Sequence, residues 1–461
     1  MLTELLLDQN LKKMRTIKIL ILLIGTVLIS SCALNEQKLQ NDSIYQSDNQ
    51  NTSFYNESSI ISMPSEKWKF KTAGKVISSP AYYNDNIYIG STDSYLYSID
   101  AKDGKLNWKF KTNGAIVSTP LVSKGKILFL SYDGYFYALN IDGELKWKFQ
   151  TEGESKHLVG DYYRPGEMSE DFWDFYLSSA SVEDNVIYFG SSDTHLYALD
   201  INTGNLIWKY EADGRIHSTP AIYKSGIYFG DWESNIYCLD AKTGLKKWDY
   251  TTGRDTVYYS WIGIQASPSI KDDVLYVGSR DAKVYAFNAL TGDTIWTQDD
   301  FGMSWMPSSF AIGKDAIYSG SSDGKAFYAI DKSNGNILYK AQTHSYTFSS
   351  PAIDHTMGYV GSANGRLYAF DLLSGEMKWE YRTIGSLTDP NKLFLEDGSL
   401  DKDPSKNLFV GFDNLPDLCK KLETVFAECG AILSSPIIKD QSIYFGSSDG
   451  YIYALENKKD H

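Results

Sequence analysis

The sequence is short of the residues that mark most chemistry. It has 4 Cys and 6 His among 461 residues. The histidines (His157, His195, His217, His344, His355, His461) fall at no metal-ligand spacing, so no metal site is expected. His217 lies beside an inner strand, where it can face a channel. There is no GxSxG, HExxH or P-loop, and no CxxCH haem motif. Positive charge is also in deficit, with 44 Lys and Arg against 58 Asp and Glu, a net −14. The imbalance deepens once residues 1–31 are set aside, since they carry more bases than acids. A body that acidic does not track a phosphate backbone, and no nucleic-acid partner is expected. It also argues against general adhesion to anionic lipid heads. Long apolar runs are scarce: the run 19–28 is too short to cross a bilayer as a helix.

That run does fit the apolar core of an export signal, after the basic start Arg15 to Lys18. It ends in Ile29-Ser30-Ser31-Cys32, which resembles the lipobox of bacterial lipoproteins. The resemblance implies a signal peptide over 1–31 and lipidation of Cys32, with the protein exported and held to a membrane by that lipid. Ala33 in place of Asp resembles outer-membrane sorting, on the periplasmic face of a Gram-negative outer membrane, otherwise the cell surface. The start is either Met1 or Met14, since residues 1–13 add nothing that a signal needs. Residues 32–64 are rich in Asn, Gln and Ser without periodicity, and this composition predicts a flexible tether.

What the chain has in quantity is repetition. GSTDSYLYSIDAKDGKLNW at 90–108 returns as GSSDTHLYALDINTGNLIW at 190–208, and again at 230–248, 278–296 and 361–379. Weaker copies occupy 130–147 and 320–339, and a last copy starts at Gly446 and stops before its Trp. A period of about 40 residues is a propeller or solenoid signature. Each unit reads as four strands, A to D in chain order, and the strand-D positions Trp68, Trp108, Trp147, Trp208, Trp248, Trp296, Tyr339 and Trp379 are read as structural. The first has no preceding copy and the last copy has no Trp strand, so the two halves complete one unit. The expectation is all-β: an eight-bladed propeller of four-stranded blades over 65–461, closed by the N-terminal Trp strand. Recurrent Ser-Pro or Thr-Pro (Ser79-Pro80, Thr119-Pro120, Thr219-Pro220) marks the innermost strand, because Pro tolerates only an edge.

The ordered recurrence of GSxD, LYALD, TG and W resembles the PQQ-like β-propeller repeat family. For a lipoprotein made only of such blades, the resemblance implies a non-catalytic scaffold that binds envelope proteins, in outer-membrane β-barrel assembly. The family also contains quinoprotein dehydrogenases that hold PQQ and calcium. Those typically carry a vicinal Cys pair, which this chain lacks, so no cofactor is expected.

Four insertions interrupt the repeats, at about 152–178, 251–263, 297–306 and 383–431. All follow the Trp strand, so they emerge on one face. Loops on a rigid scaffold are where binding tends to reside. Tyr162, Tyr163, Arg164, Trp173, Arg254, Tyr258, Tyr259, Trp261 and Trp305 are the binding-face candidates. Aromatics with Arg anchor protein interfaces. The same residues suit a sugar or small ligand, and they also suit packing together as a cap over the channel. Within the longest insertion, 415–429 has apolar residues at helical spacing. Cys419 and Cys429 at its ends are the candidate disulfide pair in an exported protein.

Overall fold

Val, Ile, Tyr and Phe fill short runs bounded by Gly, Asn and Asp turns, and each run becomes a strand. In the computed structural model, residues 42–160, 168–254, 262–302, 304–401, 403 and 414–457 are described. Ser43–His461 is one unit by its internal contacts. Its strands form eight four-stranded antiparallel sheets, the blades of a propeller. The first blade runs outward through Ala81–Tyr83, Asn86–Gly90, Tyr95–Asp100 and Leu106–Lys111. The eighth takes Ile437–Lys439, Ser442–Gly446 and Tyr451–Glu456 from the C-terminus and Ser65–Lys71 from the N-terminus, paired from Ser65 with Glu456 to Lys71 with Tyr451. The two middle strands of each blade are buried on both faces by neighbouring blades, which is why they read as continuous apolar runs.

Each repeat Trp joins its blade to the next. Trp68 Nε1–H donates to the Ala101 carbonyl at 2.9 Å, Trp108 to Ile141 at 3.0 Å and Trp147 to Ile201 at 3.1 Å. The indole lies on the glycine of the neighbouring turn. A Cβ on Gly104 would come within 2.8 Å of the Trp68 ring, and its φ of +74° disfavours any side chain. Thr-Gly and Trp recur together because they meet across the blade junction.

A hydroxyl recurs more strictly than the proline beside it. The N–H of Thr119 donates to Ser179 Oγ, Ser179 to Thr219, Thr219 to Ser267, Ser267 to Ser309, Ser309 to Ser350, Ser350 to Ser435 and Ser435 to Ser79, at 2.8–3.1 Å. These bonds pass from blade to blade around the channel. Ser179 and Ser309 take part without a following Pro.

The tether expectation for 32–64 is contradicted over residues 43–60. Ser43 exchanges both backbone hydrogen bonds with Val122. The carbonyls of Asn49, Gln50, Thr52 and Ser53 then accept the N–H groups of Ile222, Ile270, Ile312 and Ile353, at 2.6–3.0 Å. Asn51, fully buried, donates to the Thr219 and Pro268 carbonyls. The physical reason is the inner edge of each blade, where unpaired N–H and C=O groups face the channel. This segment satisfies them with its backbone, blade after blade. The folded body therefore starts near residue 43 rather than 65.

Candidate functional site: the capped mouth of the channel

The insertions leave the outer strands and return to the inner ones, so they stand together over one end of the channel. Phe172, Trp173 and Leu177 are buried in the mouth. The Trp173 indole stacks on Phe348 at 5.1 Å and touches Phe172, Tyr346 and Phe426, at 4.2, 4.9 and 5.9 Å. Phe426 belongs to the helix Leu415–Glu428, which Asn414 caps by accepting the Asp417 N–H. Leu418, Leu422, Val425 and Phe426 form the buried stripe of that helix.

Two charge contacts fasten the cap to the blades. Asp171 accepts from Arg280 Nη1 at 2.5 Å, with both side chains buried. The Arg280 guanidinium lies between two indoles, 4.2 Å from the Trp232 centroid and 4.3 Å from that of Trp305. Burial raises the Asp171 carboxyl above its ordinary value, and the Arg280 charge opposes that rise. The second contact joins Asp174 Oδ1 to His217 Nδ1 at 2.8 Å. Burial pushes the Asp174 carboxyl up, but the His217 ring and the His157 N–H outweigh it and hold it below the usual value. Nε2 of His217 meets Ser192 Oγ at 2.8 Å, and Ser192 Oγ donates to Glu154 at 2.8 Å. Burial raises the Glu154 carboxyl despite its bonds from Ser191 and Ser192. His157 stacks on Trp232 at 4.6 Å, and burial with the nearby Arg280 charge pushes it down to about 3.

Carboxylate, imidazole and hydroxyl in that order are the arrangement of a nucleophile triad. Ser192 nevertheless is engaged by Glu154 on its other side, is buried, and does not line the channel cavity. Its chemistry here is to tie a blade turn to the cap.

Beneath the cap, the hydroxyl ring, His217, Gln265, Tyr176 and Tyr45 enclose a cavity of about 30 Å³. That is room for about two water molecules. The Trp173–Phe348 stack lies in the mouth above. Among the described residues no group of three or more His, Cys, Asp or Glu is arranged to hold a metal ion.

The placement of the sequence candidates divides. Trp173 and Trp305 are each 5% exposed, which corrects their assignment as docking side chains. They pack in the cap because the rings bury more area against one another than water would leave them. Arg254 is exposed. Tyr162, Tyr163, Arg164, Tyr258, Tyr259, Trp261 and Cys32 lie outside the described residues. The disulfide is also corrected: Cys419 and Cys429 are both buried free thiols. Cys419 lies in the helix and Cys429 is its C-cap, ten residues on and about 15 Å away along the axis, beyond disulfide reach.

Asp171, Asp174 and Arg280 were not legible as site residues. One signal marks Arg280. The third residue of each GSxD turn is Thr92, Tyr132, Ser192, Trp232, Arg280, Ser322, Ala363 or Ser448. Tyr132, Trp232 and Arg280 are the large departures, and all three are buried or half-buried under the insertions.

Eight four-stranded blades, docked Trp on Gly around a hydroxyl-lined channel, define a β-propeller of PQQ-like repeats. The chain belongs to the PQQ-repeat family described as "Outer membrane protein assembly factor BamB", whose profile matches residues 63–163, 170–303 and 280–412. Among solved structures it is similar to BamB from Moraxella catarrhalis, with 16% identity, 86% of this chain and 100% of that chain covered, and a TM-score of 0.63. It is also similar in fold to a europium-containing methanol dehydrogenase (13% identity, 90% and 97% covered, TM-score 0.64). A quinohemoprotein alcohol dehydrogenase from Comamonas testosteroni shares the fold too (12%, 90% and 80%, TM-score 0.65). An uncharacterized curated protein of Methanocaldococcus jannaschii is 48% identical over 46 residues, 10% of this chain and 5% of that protein.

Proposed function

We propose that this chain is a non-catalytic scaffold, exported and lipid-anchored through Cys32, that presents its insertion-bearing face to envelope proteins during outer-membrane β-barrel assembly. The observation that carries the reading is how that face is used. Its buried aromatics and the Asp171–Arg280 and Asp174–His217 contacts lock the cap to the blades. Leu158, Leu387 and Leu395 remain exposed on the same insertions, at 46%, 63% and 48%. Exposed apolar side chains on a rigid, built-up face suit protein contact. Membership of the assembly-factor family and the likeness to BamB support it.

The test is capture from native envelopes after mild crosslinking, comparing the wild type with Leu158→Glu/Leu387→Glu/Leu395→Glu. The wild type recovers an outer-membrane assembly protein, and the triple variant recovers about ten-fold less at unchanged Tm. Equal recovery by both rejects this face. No reproducible protein partner for the wild type overturns the scaffold reading.

A further inference from the structure

The opposite face of the propeller carries the short turns. There the A–B and C–D turns meet, as when the Ala101 N–H donates to the Asp85 carbonyl and Ala241 to Ser225. Its apolar residues are unusually bare: Leu373 is 93% exposed, Leu245 70%, Leu338 53%, and Leu290, Ile207 and Ile295 48% each. All lie in C–D turns or in the first residues of the outer strands. The far ends of those outer strands are different. They close on Lys71, Lys111, Gln150, Glu211, Thr251, Gln298, Gln342 and Arg382, all polar. Seven of the eight outer strands thus carry an apolar residue at or beside one end and a polar residue at the other, and Ser65–Lys71 is the exception.

The described N-terminal segment shows from which end the chain enters the channel. Ser43 pairs antiparallel with Val122. The strand Leu121–Ser123 runs from the hydroxyl ring at Thr119 toward the turn at Lys124. The chain therefore enters the channel from the short-turn face. Cys32 is 11 residues upstream of Ser43, a span of at most about 40 Å. The route around the rim to the other face is about 35 Å in strand widths and strand length alone, before turns and insertions are added.

Charge agrees. The protein is acidic as a whole, but lysines of the short-turn face lie beside acids, as in Lys102–Asp85, Lys105–Asp103, Lys224–Asp273 and Lys247–Asp240. These pairs lower the local charge that a zwitterionic headgroup layer would meet at those turns.

We infer that the short-turn face is a lipid-docking surface, laid against the phospholipid bilayer that holds the anchor, with its exposed leucines dipping into the headgroup region. This rests on the lipidation of Cys32 proposed above. The insertion-bearing face then points away from the membrane.

The test uses the full-length lipidated protein in phosphatidylethanolamine–phosphatidylcholine vesicles carrying a shallow spin-labelled lipid. Leu373→Cys and Asn113→Cys, on the short-turn and insertion-bearing faces, each receive a fluorescent label. The label at 373 loses about half its emission or more and the label at 113 loses little, as shallow interfacial burial requires. Vesicle flotation is scored in parallel. Flotation with the 113 label quenched, or with neither quenched, overturns the docking surface and leaves the lipoprotein reading standing. Absence of flotation overturns both. A Leu373→Glu/Leu245→Glu variant that floats but leaves a label at Leu290→Cys unquenched supports the leucines as the contact.

Discussion

The indole N–H of Trp379 donates to the carbonyl of Ile60 at 2.9 Å, across 319 residues of sequence. At the other blade junctions the ring bonds to a residue of the next blade's C–D turn. The eighth blade has no such turn, because its outer strand comes from the N-terminus. Ile60, fully buried, supplies the missing acceptor, and its N–H is bound by Tyr359 at 2.8 Å. The segment once read as a tether is thus part of the closure.

Removing residues 43–64 is expected to cost at least about 3 kcal/mol, from the lost edge hydrogen bonds and the burial of Ile60. A chain starting at Ser43 keeps full stability. Urea midpoints of the two chains check this, and equal midpoints would refute the closing role.

Arg280→Met leaves the Asp171 carboxylate buried without its cation and costs roughly 3–5 kcal/mol. Asp171→Asn added to it recovers much of that loss. A double-mutant cycle on urea unfolding reads the coupling, and simple additivity would mean that the pair does not act as one contact.

Stability should fall on mild acidification because of His157. The folded protein refuses its proton until about pH 3, whereas the unfolded chain takes one near the ordinary 6.5. The full contribution is present above 6.5 and is lost as pH drops toward 3, by about 1.4 kcal/mol per unit. From pH 7 to pH 5 the loss at this site is roughly 2 kcal/mol. His157→Gln should flatten the pH dependence of the urea midpoint in that window, and an unchanged slope would remove His157 as the cause.

Cys419 and Cys429 should resist alkylation in the folded protein and both react after unfolding, with or without reductant. Burial raises both thiols, which keeps them in the unreactive form. Alkylation of the unfolded chain that requires prior reduction would instead reveal a disulfide.

The blades were legible because the Gly-Ser turn, the LYALD strand and the docking Trp recur in side-chain identity across eight copies, with Tyr339 once in place of the Trp. The helix at 415–428 was legible from Leu418, Leu422, Val425 and Phe426. The order in residues 43–60 was not, because it is held by backbone groups at inner strand edges, and backbone bonds leave no trace in composition. Trp173 and Trp305 looked like anchors for the same reason that they make a good cap: large rings bury area wherever they find partners. Asp174 and His217 are 43 residues apart, and only the closing of one insertion over the next blade brings them together.

One measurement bears most directly on how the protein is used. A photoreactive side chain is placed at position 395, on the insertion-bearing face, or at position 245, on the short-turn face, and activated in native envelopes. Position 395 should capture an outer-membrane assembly protein, and position 245 should capture lipid and no protein. A protein partner at 245 with none at 395 would contradict both the scaffold face and the orientation.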